Sequence, residues 1–266
     1  MLTAQQRKAY ADDGLMKIPQ AIPSDVALEM AARMNEYLAT EESIRRNASQ
    51  AWLAERTAGL RALTRAGAFD HAAAGSVETA LAEIYGPGRY PRPKNGGRAL
   101  VTHKGSDESW DVPADGWHVD SWPDPNGEEP HGVTVFTVLA PLRPQGGGTL
   151  ILAGSYRLLG GDLTAVVGKR RLPAVRKELA QRHPWLAELW GGATGLAADR
   201  RQRFMNEGAE LDGVHVRVVE LTGEPGDVFV MRADTFHTVA PNCRDESRMM
   251  LVKGWGRADS ESEDDE

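Results

Sequence analysis

The chain has 266 residues, 41% of them apolar, enough to bury the core of a domain of ordinary size. Its net charge of −7 sits almost wholly in the tail: 259–266 carry six carboxylates and no base, so the rest nets −1, a balance that argues against a nucleic-acid partner. One cysteine excludes an intrachain disulfide and an all-cysteine metal site, and no apolar run approaches the roughly 18 residues of a membrane span.

The opening residues hold no apolar leader, which points to a cytoplasmic protein. Helical spacing begins with Ala27, Met30, Ala31, Met34 and Leu38, behind a Ser24 placed to cap the start. A second helical pattern carries Trp52, Leu53, Leu60 and Leu63, and a third runs from Ser76 through Val77, Leu81 and Ile84 to Gly86. Residues 86–97 are turn chemistry throughout. From about residue 98 the character changes. Short apolar runs at 98–103, 117–122, 132–140, 149–153, 214–221, 227–232 and 247–254 alternate with Gly, Pro and Asp clusters, which predicts a mainly β sandwich or barrel with flanking helices. The stretch 155–212 interrupts the strands with charge and a helical pattern from Leu172 to Leu189. It reads as an insertion that forms a lid or a pocket wall. The expected organisation is therefore one domain over 1–258, with helices to 97, a β core from 98 and the insertion at about 155–212, followed by a disordered acidic tail over 259–266. The oligomeric state is left open.

The segment Trp117-His118-Val119-Asp120-Ser121-Trp122 carries the chemistry. In a strand, residues i and i+2 share a face, so His118 and Asp120 present an imidazole and a carboxylate side by side. These are two members of a 2-His-1-carboxylate triad, the donor set that holds iron(II) and leaves half its coordination sphere open for a bidentate co-substrate and O2. H-x-D alone arises often by chance. Its support is His237, 119 residues downstream, which follows a Gly226-Asp227 turn and the apolar run Val228, Phe229, Val230, Met231. The turn Pro241-Asn242-Cys243 lies midway between His237 and Arg248. If it closes a hairpin, those two side chains lie opposite each other on adjacent strands, and Arg248 is suited to clamp a carboxylate. Trp122 shares parity with His118 and Asp120 and is read as a wall of the substrate side, with Tyr156 and Arg232 as further pocket candidates. His71 and His183 are read as surface residues, His215 as outward-facing, and His103 and His131 as flanking the pocket.

On these residues the chain resembles the phytanoyl-CoA dioxygenase-like branch of the Fe(II)/2-oxoglutarate oxygenases. The resemblance runs from an early helix and Asp13-Gly14-Leu15-Met16-Lys17-Ile18-Pro19 through Trp117-His118-Val119-Asp120, Gly147-Gly148-Thr149-Leu150, Ala153-Gly154-Ser155 and Gly226-Asp227 to His237, and ends on Arg248 eleven residues later. It implies a double-stranded β-helix (jelly-roll, cupin-like) core with iron held by His118, Asp120 and His237 in its mouth. Arg248 would bind the distal carboxylate of 2-oxoglutarate. Val239 stands where the family often has a hydroxyl residue, so Thr238 beside it is the remaining hydroxyl for that co-substrate, though it should face the other way. The implied activity is hydroxylation of a small-molecule metabolite with O2, 2-oxoglutarate being decarboxylated to succinate. The same site would serve desaturation, cyclisation or epimerisation, and a non-catalytic cupin-like binding protein is the alternative of another class. No basic cluster in the sequence marks a site for a CoA thioester.

Overall fold

The structure is a computed structural model that describes residues 1–45, 60–72, 75–90, 96–105, 109–122, 132–159, 171–191 and 200–256. Of the residues read above, Trp52, Leu53, His131 and the acidic tail lie outside these.

Helix α1 (Ala4–Asp13) starts at a capping box between Thr3 and Gln6 and ends at Gly14, whose positive φ of 72° is open to glycine at little cost. Strand β1 (Leu15–Ile18) follows at once. The first expected helix is α2 (Ser24–Arg45), which buries Ala27, Met30, Ala31 and Met34. Leu60 and Leu63 fall in a helical stretch over 60–65. Helix α3 (Gly75–Tyr85) buries Val77, Ala80, Leu81 and Tyr85 and stops at Gly86, again at positive φ.

The remaining strands are β2 (Arg98–Thr102), β3 (Gly132–Val138), β4 (Thr149–Ala153), β5 (Ala209–Leu211), β6 (Val214–Glu220), β7 (Val228–Arg232), β8 (His237–Val239) and β9 (Arg248–Gly256). They form a five-stranded sheet in the order β1-β7-β3-β9-β2 and a four-stranded sheet in the order β5-β6-β4-β8, with every pair antiparallel. Alternation along β9 shows how the layers stack. Met249, Leu251 and Trp255 pack against the helices α1 to α3, whereas Met250 joins Phe136, Phe229, Met231, Ile151 and Leu221 between the sheets. Each such apolar side chain stabilises the fold by about 1.5–3 kcal/mol when fully buried. Strand β3 is buried at all seven positions because both of its faces are covered, which is why its sequence lacks a polar alternation.

The insertion forms a second helical layer, on the far side of the four-stranded sheet. Helices α4 (Arg171–Arg182) and α5 (Pro184–Trp190) pack Val175, Leu179, Leu186 and Leu189 against Leu150, Leu152, Val216 and Val218. Pro184 breaks the single helical pattern in two. His183 precedes α5 at the N-cap position, without a side-chain cap, and is buried 3.2 Å from Asp212, so its expected place on the surface is corrected.

Two further expectations are revised. The run 117–122 is not a strand but a single bridge, His118 to His237. Beyond it the amides of Asp120 and Ser121 both donate to the carbonyl of Ala233, at 2.9 and 3.0 Å, so no ladder continues. Nor do His237 and Arg248 lie across a hairpin. Strand β8 pairs with β4 and β9 with β3 and β2, so 240–247 crosses from one sheet to the other. Among the described residues no helix is long and apolar enough to cross a membrane.

Candidate metal centre

His237 sits in register with Ile151, whose side chain belongs to the core between the sheets, so the imidazole faces that interior. Its partner across the bridge is His118, with backbone hydrogen bonds of 3.0 and 2.9 Å in the two directions. The two rings lie 4.2 Å apart between centroids. Asp120, two residues on, brings Oδ1 to 3.8 Å from Nε2 of His118 and 3.6 Å from Nε2 of His237. One donor atom from each of the three residues lies within 4.8 Å of the others. One cation can therefore touch all three.

The protons are arranged for that. Nδ1 of His118 lies 2.8 Å from the carbonyl oxygen of Gly116, and Nδ1 of His237 lies 3.0 Å from that of Thr235. A carbonyl only accepts, so each Nδ1 carries the hydrogen and each Nε2 turns its lone pair toward Asp120. Burial holds the His237 imidazole below its ordinary pKa and so in the neutral, ligating form. Asp120 is oriented from β3, where the Thr134 hydroxyl donates to its Oδ2 at 2.5 Å and leaves Oδ1 to the histidines. The sequence held no signal for Thr134, because contact between residues 120 and 134 is made by the sheet and not by spacing along the chain.

Arg248 shares the parity of Met250 on β9 and points into the interior between the sheets. It is 4% exposed, and its Nε and Nη1 have no hydrogen-bond partner. Desolvation pulls its pKa down to about 10. A buried guanidinium without a counter-charge is costly and fits a site that receives an anion.

The other candidates are placed differently. Thr238 is in register with Leu150 and faces the insertion, where its hydroxyl donates to the carbonyl of Asp115 at 3.2 Å and so steadies the turn that offers the Gly116 carbonyl to His118. Arg232 shares its face of β7 with Val228 and Val230, the helix side of the five-stranded sheet. There it forms a two-pronged ion pair with Asp234 at 2.8 and 2.9 Å and stacks over the Tyr156 ring at 4.1 Å, while the Tyr156 hydroxyl donates to the Ala11 carbonyl. These two side chains bind each other rather than turning to the metal cluster. Trp122 is half-buried at the edge of the cluster that holds Trp110 and Trp117. His103 is exposed and bonded to Ser247, and His215 is exposed and paired with Glu210.

A cavity of about 750 Å³ opens beside Asp120 and Thr134. Glycines make up much of its wall, a feature that a search for polar residues passes over.

Two facing antiparallel sheets wrapped by helices, with the metal cluster at one end of the sandwich, define a jelly roll of the α+β class. No family model matches the sequence, and no curated protein matches it either. Solved structures do share the fold. The epimerase SnoN, in complex with Fe3+, alpha ketoglutarate and nogalamycin RO, aligns with a TM-score of 0.53 at 16% identity, over 95% of this chain and 82% of SnoN. A second structure of SnoN, described as a non-heme alpha ketoglutarate dependent epimerase from nogalamycin biosynthesis, aligns at 0.50 and 17% identity, over 94% and 81%. AviO1 from Streptomyces viridochromogenes Tue57 aligns at 0.53 and 16% identity, over 96% of each chain. At these identities the likeness is one of fold.

Proposed function

We propose that residues 1–258 form one catalytic domain, a non-heme iron(II)- and 2-oxoglutarate-dependent oxygenase that hydroxylates a small-molecule substrate. The observation that carries this is the pairing of two features at one interior: a His118, Asp120, His237 donor set and a buried Arg248 without a counter-ion. The donor set suits iron(II). The orphaned guanidinium suits the distal carboxylate of a dicarboxylic co-substrate, which it can grip with two parallel hydrogen bonds. Each group fits the residues present. SnoN, which shares the fold, is described with Fe3+ and alpha ketoglutarate bound. The order and spacing of the motifs support a place in the phytanoyl-CoA dioxygenase-like branch.

When bound, iron(II) with 2-oxoglutarate and O2 supplies the oxidising power, yielding succinate and CO2. The chain supplies geometry. The carbonyls of Gly116 and Thr235 hold the two imidazoles in the tautomer that ligates, and Thr134 holds Asp120. Arg248 orients the co-substrate, and Phe136, Val138 and Met250 keep the interior dry. A second reading keeps the same ligands and ends in epimerisation, as in SnoN. Product mass separates the two, since a hydroxylated product gains an oxygen and an epimer does not change.

The test is succinate formation from 2-oxoglutarate by purified protein with added Fe(II). Turnover that needs Fe(II) and vanishes in His237→Ala together with iron binding is expected. Full iron affinity in His237→Ala would remove the assignment.

A further inference from the structure

From the wall of the cavity we infer the class of substrate: a molecule bearing an oxyanion, a carboxylate or a phosphate, gripped by Arg98. The reaction it undergoes rests on the oxygenase reading; its binding does not.

The floor of the cavity is bare backbone. On β3 and β9, Thr134 faces Gly254 and Gly132 faces Gly256 across the sheet. A Cβ added at Gly254 would meet nothing within 4 Å. Thr134 is the residue that holds Asp120, so this open floor begins at a metal ligand. A substrate can therefore lie flat against the sheet with one end at the metal. The other end meets charge. Arg98 on β2 is in register with Val252 on β9, which places it two strands from Thr134, roughly 10 Å across the sheet. Lys253 also borders the cavity, but it shares the parity of Leu251 and Trp255 and so turns to the helix side of the sheet. Among the described residues neither cation forms an ion pair. Among the described lining residues the only carboxylate is Asp120, which the oxygenase reading assigns to the metal. A guanidinium free of an ion pair at the end of an open floor concentrates anions there and adds directional hydrogen bonds to an oxyanion. The co-substrate has its own cation in Arg248, on the same face of β9 but four residues, roughly 13 Å, along the strand from Val252.

The test uses the whole protein loaded with Ni(II) and 2-oxoglutarate, titrated calorimetrically with three ring probes of similar size: cyclohexanecarboxylate, cyclohexyl phosphate and cyclohexanecarboxamide. A charged probe is expected to bind about tenfold more tightly than the neutral amide, and Arg98→Gln to remove that preference while metal and 2-oxoglutarate still bind as in the wild type. Lys253→Gln, on the opposite face of the sheet, should leave it in place. Whichever charged probe binds better tells a carboxylate from a phosphate. Equal binding of charged and neutral probes, or no binding of any, overturns the inference. So does an Arg98→Gln protein whose main loss is in 2-oxoglutarate affinity, because the cation would then belong to the co-substrate. If the wild type binds no metal, the oxygenase reading fails by itself, and the probe preference measured on the metal-free protein still decides this one.

Discussion

At the scale of single residues, Arg248 is the least comfortable group in the described structure. Desolvation draws its pKa well below the ordinary guanidinium range, to about 10, so the folded state holds this charge at a cost on the order of 3 kcal/mol. Replacing it with methionine keeps the bulk and deletes the charge. Arg248→Met is therefore expected to stabilise the metal-free protein by about 1–3 kcal/mol in urea denaturation. A loss of that size instead would mean that the guanidinium holds the fold together rather than waiting for a ligand. Thr134 and Thr238 show the opposite situation, hydroxyls whose hydrogen bonds are already made and whose work is to place Asp120 and the turn before His118. Both histidines of the candidate metal site were legible from the chain, because an H-x-D pair and a distant His after an apolar run carry their own geometry. The two threonines were not legible, because a threonine in a strand is ordinary until its neighbour across the sheet is known.

The element that decides the site is the crossover over 240–247. It carries the chain from β8 in one sheet to β9 in the other, so His237 and Arg248 reach the same interior from opposite walls. Asn242 is its clamp. Its side-chain amide donates to the carbonyls of Thr102 at 3.0 Å and Glu246 at 2.9 Å, its Oδ1 accepts from the Arg244 amide, and it is 1% exposed. Asn242→Ala would remove all three of these partly buried hydrogen bonds at once. We expect a stability loss of roughly 2–4 kcal/mol by urea denaturation, and a 2-oxoglutarate requirement that rises with it. A variant as stable as the wild type would show that other contacts hold the crossover. From sequence these residues read as a hairpin turn. The composition of a tight turn and of a sheet-to-sheet crossover is the same, since both need Pro, Asn and Asp to reverse the chain, and only strand pairing tells them apart.

At the scale of the whole molecule, the site couples ligands to folding. On the proposed function, metal and then 2-oxoglutarate bind only the folded chain, and each at about a hundred times its Kd adds about 2.7 kcal/mol. For a chain of this size that raises Tm by roughly 5–10 °C per ligand. The wild type should show both increments by calorimetry and Arg248→Met only the one from metal; an unshifted Tm with both ligands present would contradict the site. The sequence by itself determined the mainly β class, the N-terminal helices, the interrupting helical insertion and the three side chains, His118, Asp120 and His237, that come together at the candidate metal site. Each of these follows from periodicity or from residue chemistry, which are local. The tertiary structure alone decided that Arg248 is buried without a partner, that Arg232 and Tyr156 bind each other, and that a glycine floor opens from Asp120 toward Arg98. Those facts depend on which strands lie side by side, a pairing set by the total burial of three apolar layers and written in no single stretch of chain.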